Sequence, residues 1–461
     1  MIILVGSKIA QSAIQTSLGK SEYSYFFLLK SFMPALERLG QVISVTSTEE
    51  VDEQYALHKA AGRDVVFLSF SPPHQTPVDL KCPTICVFAW EFCSIPLASD
   101  RTRMLLADDC EEDARYDWGY VFSRIAGAIA TSCEAAALVS AHASLPVAAI
   151  PAPIWGLFED QHGCAECGRR LTLQGEVIDS RKLKLDPEGV IRHPESEAVR
   201  ITRATWRGWC HEIRLPMLRP GAAAEAPPRQ KSSSVDFDGV VYTSVLNPKD
   251  GRKKWVEMMT AFCWAFRDVE DATLVLKMTH HDIEQYRGTV LNQLSRLMPF
   301  RCRVVVLHGF LDEVQYRQLI EVSDYYVNAS SGEGLCLPLM EFLCGGRPAV
   351  APMHTAMADY LRTEYCFPVA TSSEPDCWPH DPTGRLLTFS RRLNWQSLVE
   401  AFRDSYPQAG NREKYLAASR AAKAFMKNFC APEVVAAQMA ELIERACQGN
   451  AASQVGGGLQ A

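Results

Sequence analysis

The sequence predicts an α/β protein built from two doubly wound, Rossmann-like parallel-sheet domains that face a cleft, with an inserted segment between them. Short apolar runs alternate with helical stretches over roughly the first 155 residues, and the same rhythm resumes near residue 235. Strands buried on both faces of a parallel sheet have this continuous apolar character. A chain of 461 residues is also too long for one hydrophobic core, which stops growing at about 250–300 residues.

The N-terminal half contains six strand candidates. The first is Met1–Val5, and a stretch with helical spacing follows it and ends near Gly40. The other five are QVISVTS, DVVFLSF, TICVFAW, GAIATS and VAAIPAP, most of them rich in Val, Ile and Phe. Such residues favour buried strands. We therefore expect a Rossmann-like domain over residues 1–159.

Residues 235–415 repeat the pattern. The strand candidates are FDGVVYTSVL, ATLVLKM, CRVVVLHGF, DYYVNAS and RPAVAP, and amphipathic stretches separate them. This alternation predicts a second Rossmann-like domain. Residues 416–448 read as helices that cross back to the N-terminal domain, and residues 449–461 read as a flexible tail.

The segment between the two domains, residues 160–234, is charged and weakly periodic and ends in the linker-like RPGAAAEAPPRQKSSS. It contains Cys164-x-x-Cys167 and the pair Cys210-His211. A zinc ribbon needs a second Cys-x-x-Cys or a spaced histidine pair, and the segment has neither. The favoured interpretation is an inserted subdomain or lid on the acceptor side of the cleft, with free thiols and no metal.

The net charge and the hydropathy of the chain indicate which classes of partner it can bind and in which cell compartment it works. The 47 basic and 54 acidic residues give a net charge of −7, so no global basic field exists to hold nucleic acid. No stretch reaches the ~18 uninterrupted apolar residues of a membrane span, and the first ten residues lack the features of a signal peptide. We expect a reduced, cytoplasmic protein. The run Tyr25–Leu36 is either a buried helix, the favoured reading, or a peripheral membrane contact.

Residues 328–352, NASSGEGLCLPLMEFLCGGRPAVAP, carry the most information about function. A loop of small residues at the start of a helix lets backbone N–H groups approach a phosphate or a polyol. A carboxylate further along can accept hydrogen bonds from ribose hydroxyls. Glu333 and Glu341 suit these roles, although an isolated pair of glutamates more often caps a helix in solvent.

The whole string resembles the E-x7-E signature of retaining glycosyltransferases with the GT-B fold, most closely glycosyltransferase family 4. The resemblance implies that Glu333 is the catalytic glutamate facing the transferred sugar and that Glu341 binds the nucleotide ribose. It also implies that Gly334 and Leu335 present backbone N–H groups to the sugar and the diphosphate. Cys336 stands where the family usually has a glycine.

Two further stretches are similar to donor-binding segments of the same family. In TSVLNPKDGRKKWVEMMTAF, Lys253 falls at the family's lysine, and Lys249 and Arg252 are both candidates for its arginine partner. Such cations are needed because the diphosphate gains charge as it leaves. The resemblance implies that they replace a divalent metal. In VVVLHGF, Gly309 and Phe310 match the loop that contacts the nucleotide base.

The N-terminal half resembles the family more loosely. Gly19, in the loop after the first strand, would lie near the diphosphate. The family usually has a histidine after a middle strand, where this chain has Ala89-Trp90-Glu91. His74 is the nearest substitute, with an ordinary loop histidine as the alternative reading, and Glu91 is a second catalytic candidate.

The resemblance implies a retaining transferase that moves a hexose-type sugar from a UDP- or GDP-linked donor to an acceptor hydroxyl, without a further cofactor. The implied acceptor is a carbohydrate or a lipid-linked precursor in polysaccharide or glycoconjugate biosynthesis, at the inner face of the cytoplasmic membrane. Two alternatives stay open. One is a catalytically silent scaffold subunit that binds sugar nucleotides, and the other is an epimerase or phosphorylase with the same fold.

Overall fold

A computed structural model of the chain describes residues 1–6, 21–97, 114–158, 169–183, 232–280, 283–377 and 387–456. Within these residues the two predicted parallel sheets are present, each flanked by helices. The predicted α/β fold class is therefore confirmed.

The N-terminal sheet has six parallel strands. Its strands are β1 (Ile2–Gly6), β2 (Gln41–Val45), β3 (Val65–Phe70), β4 (Thr84–Phe88), β5 (Gly127–Ala130) and β6 (Val147–Ala149). Their order is β2-β1-β3-β4-β5-β6. The helices of this half are α1 (Ser21–Leu39), α2 (Thr48–Ala60), α3 (Trp118–Phe122), α4 (Cys133–His142) and α5 (Trp155–Phe158). The central strands β3 and β4 are buried along their whole length, as their apolar sequences predict.

The C-terminal sheet has seven strands. Its strands are β8 (Glu176–Asp179), β10 (Val240–Leu246), β11 (Ala272–Met278), β12 (Arg303–His308), β13 (Tyr325–Val327), β14 (Ala349–Ala351) and β15 (Cys366–Pro368). Their order is β15-β14-β13-β10-β11-β12-β8, and only β8 is antiparallel to its neighbour. The accompanying helices are α6 (Trp255–Ala265), α7 (Glu284–Leu297), α8 (Glu313–Val322), α9 (Leu337–Cys344) and α10 (Met357–Tyr360).

The described part of the predicted insertion lies at the edge of the C-terminal sheet. Strand β8 pairs with β12, and a two-stranded sheet of β7 (Arg170–Gln174) and β9 (Ser232–Asp236) flanks it. Arg303 donates two hydrogen bonds to the buried carboxylate of Asp179, at 2.8 and 3.2 Å, which fixes the pairing. Residues 169–183 thus cover a strand edge that would otherwise be exposed. A lid on the acceptor side, formed by the whole of residues 160–234, stays a prediction. Cys164, Cys167 and Cys210-His211 lie outside the described residues.

An antiparallel hairpin that the sequence analysis did not predict follows β15. It consists of β16 (Thr371–Cys377) and β17 (Leu387–Leu393). The side chains of β16 are largely exposed, and the strand includes Pro375. The hairpin therefore lacks the apolar run by which a buried strand is recognised.

The last three helices return the chain to the N-terminal domain. They are α11 (Trp395–Gly410), α12 (Arg412–Cys430) and α13 (Pro432–Gly456), and α13 packs against α1 and β5. Residues 449–456 continue α13, within the segment for which the sequence predicted a tail. One continuous hydrophobic cluster runs from the N-terminal sheet through α5 and α12 to the C-terminal sheet. Within the described ranges, no helix has the length and apolar character needed to cross a bilayer.

The β7–β8 turn offers a test of the insertion's place in the fold. A Cβ at Gly175 would overlap the carbonyl oxygen of His308 and lie 3.1 Å from Cα of Gly309. We expect Gly175→Ala to lower the free energy of unfolding in urea by about 1–3 kcal/mol, as overpacking does. Gly410→Ala is the control, because a Cβ there would meet no atom within 4 Å beyond its chain neighbours and the backbone of its own helix. Equal stabilities of the two variants would contradict the pairing of this turn with β12.

Candidate active site

The loops at the carboxyl ends of the two sheets are in direct contact. Thr131 Oγ1 donates a hydrogen bond of 2.7 Å to the carbonyl of Gly334. A Cβ at Gly334 would lie 2.8 Å from the backbone nitrogen of Trp90, and a Cβ at Gly332 would lie 2.8 Å from the carbonyl oxygen of Glu91. Only glycines permit this approach. The loop after β13 therefore touches the segment that follows β4.

Glu333 is buried at this junction, with 4% of its surface exposed. Lys253 Nζ donates to both carboxylate oxygens at 2.8 Å, Ser330 Oγ donates at 2.6 Å and Asn328 Nδ2 at 3.0 Å. Burial alone would raise the pKa of Glu333, but the charges of Lys253 and Arg252 and the hydrogen bonds outweigh it and lower the pKa to about 2. Glu333 is therefore an ionised acceptor of hydrogen bonds at neutral pH.

Arg252, the residue before Lys253, connects this site to the N-terminal domain. Its guanidinium lies 2.7 Å from Asp250 Oδ2 and 2.9 Å from Glu91 Oε1, and it donates to the carbonyl of Gly332 at 3.1 Å. The turn that presents it is capped by Asp250, whose carboxylate accepts the Arg252 backbone N–H. Lys249 is exposed. Lys249 and Arg252 were both candidates for the cationic partner of Lys253. The structure places Arg252 beside Glu91 and close enough to Glu333 for its charge to lower the pKa of that carboxyl group.

Glu341 lies on α9 in a different environment. The hydroxyl of Tyr316 donates a hydrogen bond of 2.6 Å to Glu341 Oε2. Burial raises the pKa of Glu341 to about 7, although the Tyr316 hydrogen bond opposes the shift. The two glutamates of the motif thus differ in electrostatics, because the pKa of Glu333 lies far below neutral pH and that of Glu341 lies near it.

Residues in left-handed backbone conformation surround Glu333. Lys254, Cys336 and Thr355 have φ of 46°, 60° and 48°. Such a conformation costs roughly 1–3 kcal/mol for a non-glycine residue and is characteristic of functional sites. It explains physically why glycine suits position 336. Thr355 Oγ1 accepts the backbone N–H of Glu333 at 3.1 Å, so its strained backbone fixes the catalytic candidate.

The remaining donor-binding candidates line the same edge of the C-terminal sheet. Gly309 follows β12 with a φ of 132°, and its Cβ position lies 2.5 Å from the carbonyl oxygen of Gln174 in the β7–β8 turn. Phe310 is partly buried beside it. Leu335 is buried, and its carbonyl accepts the Tyr360 hydroxyl at 2.8 Å. The described part of the insertion therefore backs the loop predicted to contact the nucleotide base.

The N-terminal candidates have different positions. Glu91 forms the ion pair with Arg252. His74 stacks on Trp118 with a centroid distance of 6.4 Å, and Trp118 packs on Trp90 at 4.5 Å. The structure thus brings Glu91 directly into the network of charges, whereas His74 packs in the aromatic layer behind Trp90. Gly19 lies outside the described residues.

Several partners of the site were not predicted from the sequence. Asn328 and Ser330 belong to the quoted string, and polar residues directly after an apolar strand were a usable signal. Tyr316, on α8, gave none. His354 is also buried near Glu333, its Nδ1 lies 3.3 Å from Thr355 Oγ1, and burial, followed by the charge of Arg391, lowers its pKa to about 4. Among the described residues, no group of three or more His, Cys, Asp or Glu side chains is placed to hold a metal ion.

Comparison with known proteins places this architecture among solved structures. No family model matches the chain, and no curated protein sequence matches it. HepE from Anabaena, solved in complex with UDP and glucose, is similar with a TM-score of 0.50 and 11% identity over 96% of this chain and 99% of that chain. Sucrose-phosphate synthase from Thermosynechococcus elongatus is similar with a TM-score of 0.50 and 12% identity over 97% of this chain and 100% of that chain. The likeness shows that the chain has the GT-B fold.

The ion pair between Lys253 and Glu333 makes a testable prediction. Removing one partner of a buried pair leaves an uncompensated charge and costs about 3–5 kcal/mol. We expect Lys253→Met to lower the free energy of unfolding in urea by that amount, and we expect Lys253→Met combined with Glu333→Gln to recover much of the loss. A double variant no more stable than Lys253→Met would show that the two side chains are not coupled.

Proposed function

We propose that the chain is a glycosyltransferase that uses a nucleoside diphosphate sugar as donor. One observation carries the proposal: an ionised, buried glutamate, Glu333, is paired with Lys253 and backed by Arg252 where the carboxyl ends of two Rossmann-like sheets meet. Ligands of open α/β sheets bind outside these strand ends. The fold shared with a protein solved with UDP and glucose and with a sucrose-phosphate synthase supports the same donor class.

In the proposed donor site, different elements bind the diphosphate, the ribose and the base of the nucleotide. Arg252 and Lys253 bind the diphosphate, together with backbone N–H groups of Gly334 and Leu335 at the start of α9. Glu341 accepts hydrogen bonds from the ribose hydroxyls, and the loop of Gly309 and Phe310 contacts the base. Because Lys253 already neutralises Glu333, the diphosphate binds to a cation whose position the carboxylate has fixed in advance.

The proposed reaction exchanges one bond at the anomeric carbon. The bond from that carbon to the diphosphate breaks with its electron pair going to the phosphate oxygen, and a bond to the acceptor oxygen forms. The acceptor proton passes to the departing phosphate on the same face, so the configuration is retained. Glu333, with a pKa of about 2, cannot serve as a proton donor at neutral pH. Its role is to stabilise the positive charge that develops on the sugar.

The finer points of the proposal follow the family 4 resemblance. The transferred sugar is a hexose, the configuration is retained, and the acceptor is a carbohydrate or lipid-linked intermediate of polysaccharide or glycoconjugate synthesis. The enzyme then works in the cytoplasm, at the inner face of the membrane that carries such acceptors.

A panel of UDP- and GDP-linked hexoses tests the function. We expect one donor to bind and to release its nucleoside diphosphate slowly to water and faster to a glycoside acceptor, with the product's anomeric configuration read by NMR. Glu333→Gln should lower turnover by about 10²–10³-fold, in the range of losing one electrostatic stabiliser. Glu257→Gln, at an exposed position on α6, is the matched control. Binding without turnover would favour the silent scaffold, and inversion would contradict the family 4 mechanism.

The raised pKa of Glu341 predicts a pH dependence of donor binding. Below about pH 7 this carboxyl is mostly protonated in the free protein and must lose its proton to accept two ribose hydrogen bonds as a carboxylate. The dissociation constant of the bound donor should therefore fall about tenfold from pH 6 to pH 8 in calorimetry, following the ionised fraction. A nucleotide sugar is the appropriate ligand, because its diphosphate keeps a constant charge over this range.

Glu341→Gln is the control for this titration. The variant should bind the donor more weakly at pH 8 and show little change with pH. An identical pH dependence in the wild type and in Glu341→Gln would remove Glu341 from the ribose site.

A further inference from the structure

The β16–β17 hairpin joins the two domains across the cleft. Ser94 Oγ donates to Thr388 Oγ1 at 3.1 Å, and the backbone N–H of Phe389 donates to Cys93 Sγ at 3.2 Å. On the other side, the backbone N–H of Arg391 donates to the carbonyl of Ser331 at 3.1 Å. The hairpin thus spans from the segment after β4 to the loop that carries Glu333.

A pocket of about 160 Å³ with both polar and apolar walls lies beneath this hairpin. Both domains and the hairpin contribute to its wall, through Glu91, Glu134, Ser331, Thr355, Phe389 and Arg391. The N-terminal domain, the C-terminal domain and the hairpin are therefore all needed to form the pocket.

The pocket shares its walls with the proposed donor site. Glu91 is the residue whose carboxylate lies 2.9 Å from Arg252. Thr355 is the residue that accepts the backbone N–H of Glu333. A ligand hydroxyl in the pocket would consequently lie beside the groups that hold the diphosphate and the transferred sugar.

The lining predicts a neutral, hydroxyl-rich ligand. Glu91 and Glu134 can accept hydrogen bonds from neighbouring hydroxyls, and Arg391 can donate to a ring or hydroxyl oxygen. Arg252 pairs with Glu91, and the charge of Arg391 acts on the carboxyl group of Glu134. Each of these cations therefore already faces a carboxyl group, which disfavours a phosphate here. Phe389 is 55% exposed and offers an apolar ring face beside these polar groups. A sugar ring has both properties, hydroxyls at its edge and C–H groups on its faces.

We propose that this pocket is the acceptor subsite, that it binds a neutral sugar ring, and that Phe389 and Arg391 make the hairpin its specificity element. The inference rests on the proposed glycosyltransferase function. Phe389 would pack on the sugar face while Glu134 and Arg391 bind its hydroxyls. The acceptor hydroxyl would then point from this pocket to the anomeric carbon, next to the phosphate oxygen that receives its proton.

The probes are the methyl α- and β-glycosides of glucose, galactose and mannose, added to protein saturated with the donor nucleotide. Binding is read by saturation-transfer NMR, and the acceptor KM is read from nucleoside diphosphate release. We expect at least one glycoside to bind, with Phe389→Ala raising its dissociation constant and KM about tenfold, which corresponds to roughly 1.4 kcal/mol of lost ring contact. Phe389→Tyr should restore binding, and Glu134→Gln should weaken it. The donor dissociation constant should stay within twofold in all variants.

Leu57→Ala, at an exposed apolar side chain on α2, is the control and should match the wild type. If the wild type binds no nucleotide sugar, the proposed function itself fails. If it binds and turns over the donor while Phe389→Ala and Glu134→Gln leave the glycoside dissociation constant unchanged, only the acceptor subsite is wrong. Absence of binding by every glycoside, or binding of a polyisoprenyl phosphate in detergent micelles instead, would also overturn the inference.

Discussion

The buried ion pair between Lys253 and Glu333 is the interaction on which the rest of the site depends. Moving both charges out of water is costly, and the cost is offset only when the remaining lone pairs are satisfied. Ser330 and Asn328 complete the carboxylate's hydrogen bonds, and Thr355 holds its backbone. These requirements fix the loop after β13 against the turn after β10, and Arg252 then extends the network to the N-terminal domain.

The same constraint separates the roles of the two motif glutamates. Eight residues apart in sequence, Glu333 and Glu341 differ because one faces two cations and the other faces a phenol in a buried environment. In many enzymes, two carboxyl groups have different roles because their environments shift their pKa values in opposite directions. In the proposed function, the ionised group stabilises charge at the sugar, and the titrating group accepts hydrogen bonds from a diol.

Much of this arrangement could be predicted because its signals are local. The buried strands are continuous apolar runs, and the motif places Glu333, Glu341 and the helix start within one short string. The rest depends on pairings between distant segments. Strand β8 and the β16–β17 hairpin form because of the strands with which they pair. Their own sequences lack the periodicity from which a strand could be predicted. Likewise His74 and Glu91 both follow strands of one sheet, and only the packing of Trp90 and Trp118 shows which one meets Arg252.

The most direct test of this account is the titration of the Glu333 carboxyl group, followed by carbon NMR of protein labelled at the glutamate side-chain carboxyls and assigned with Glu333→Gln. We expect Glu333 to stay ionised down to about pH 4 in the wild type, because its pKa lies near 2. In Lys253→Met, we expect the pKa of Glu333 to rise well above the ordinary value. A wild-type Glu333 that titrates in the ordinary range of about 4–5, or one unchanged in Lys253→Met, would contradict this account.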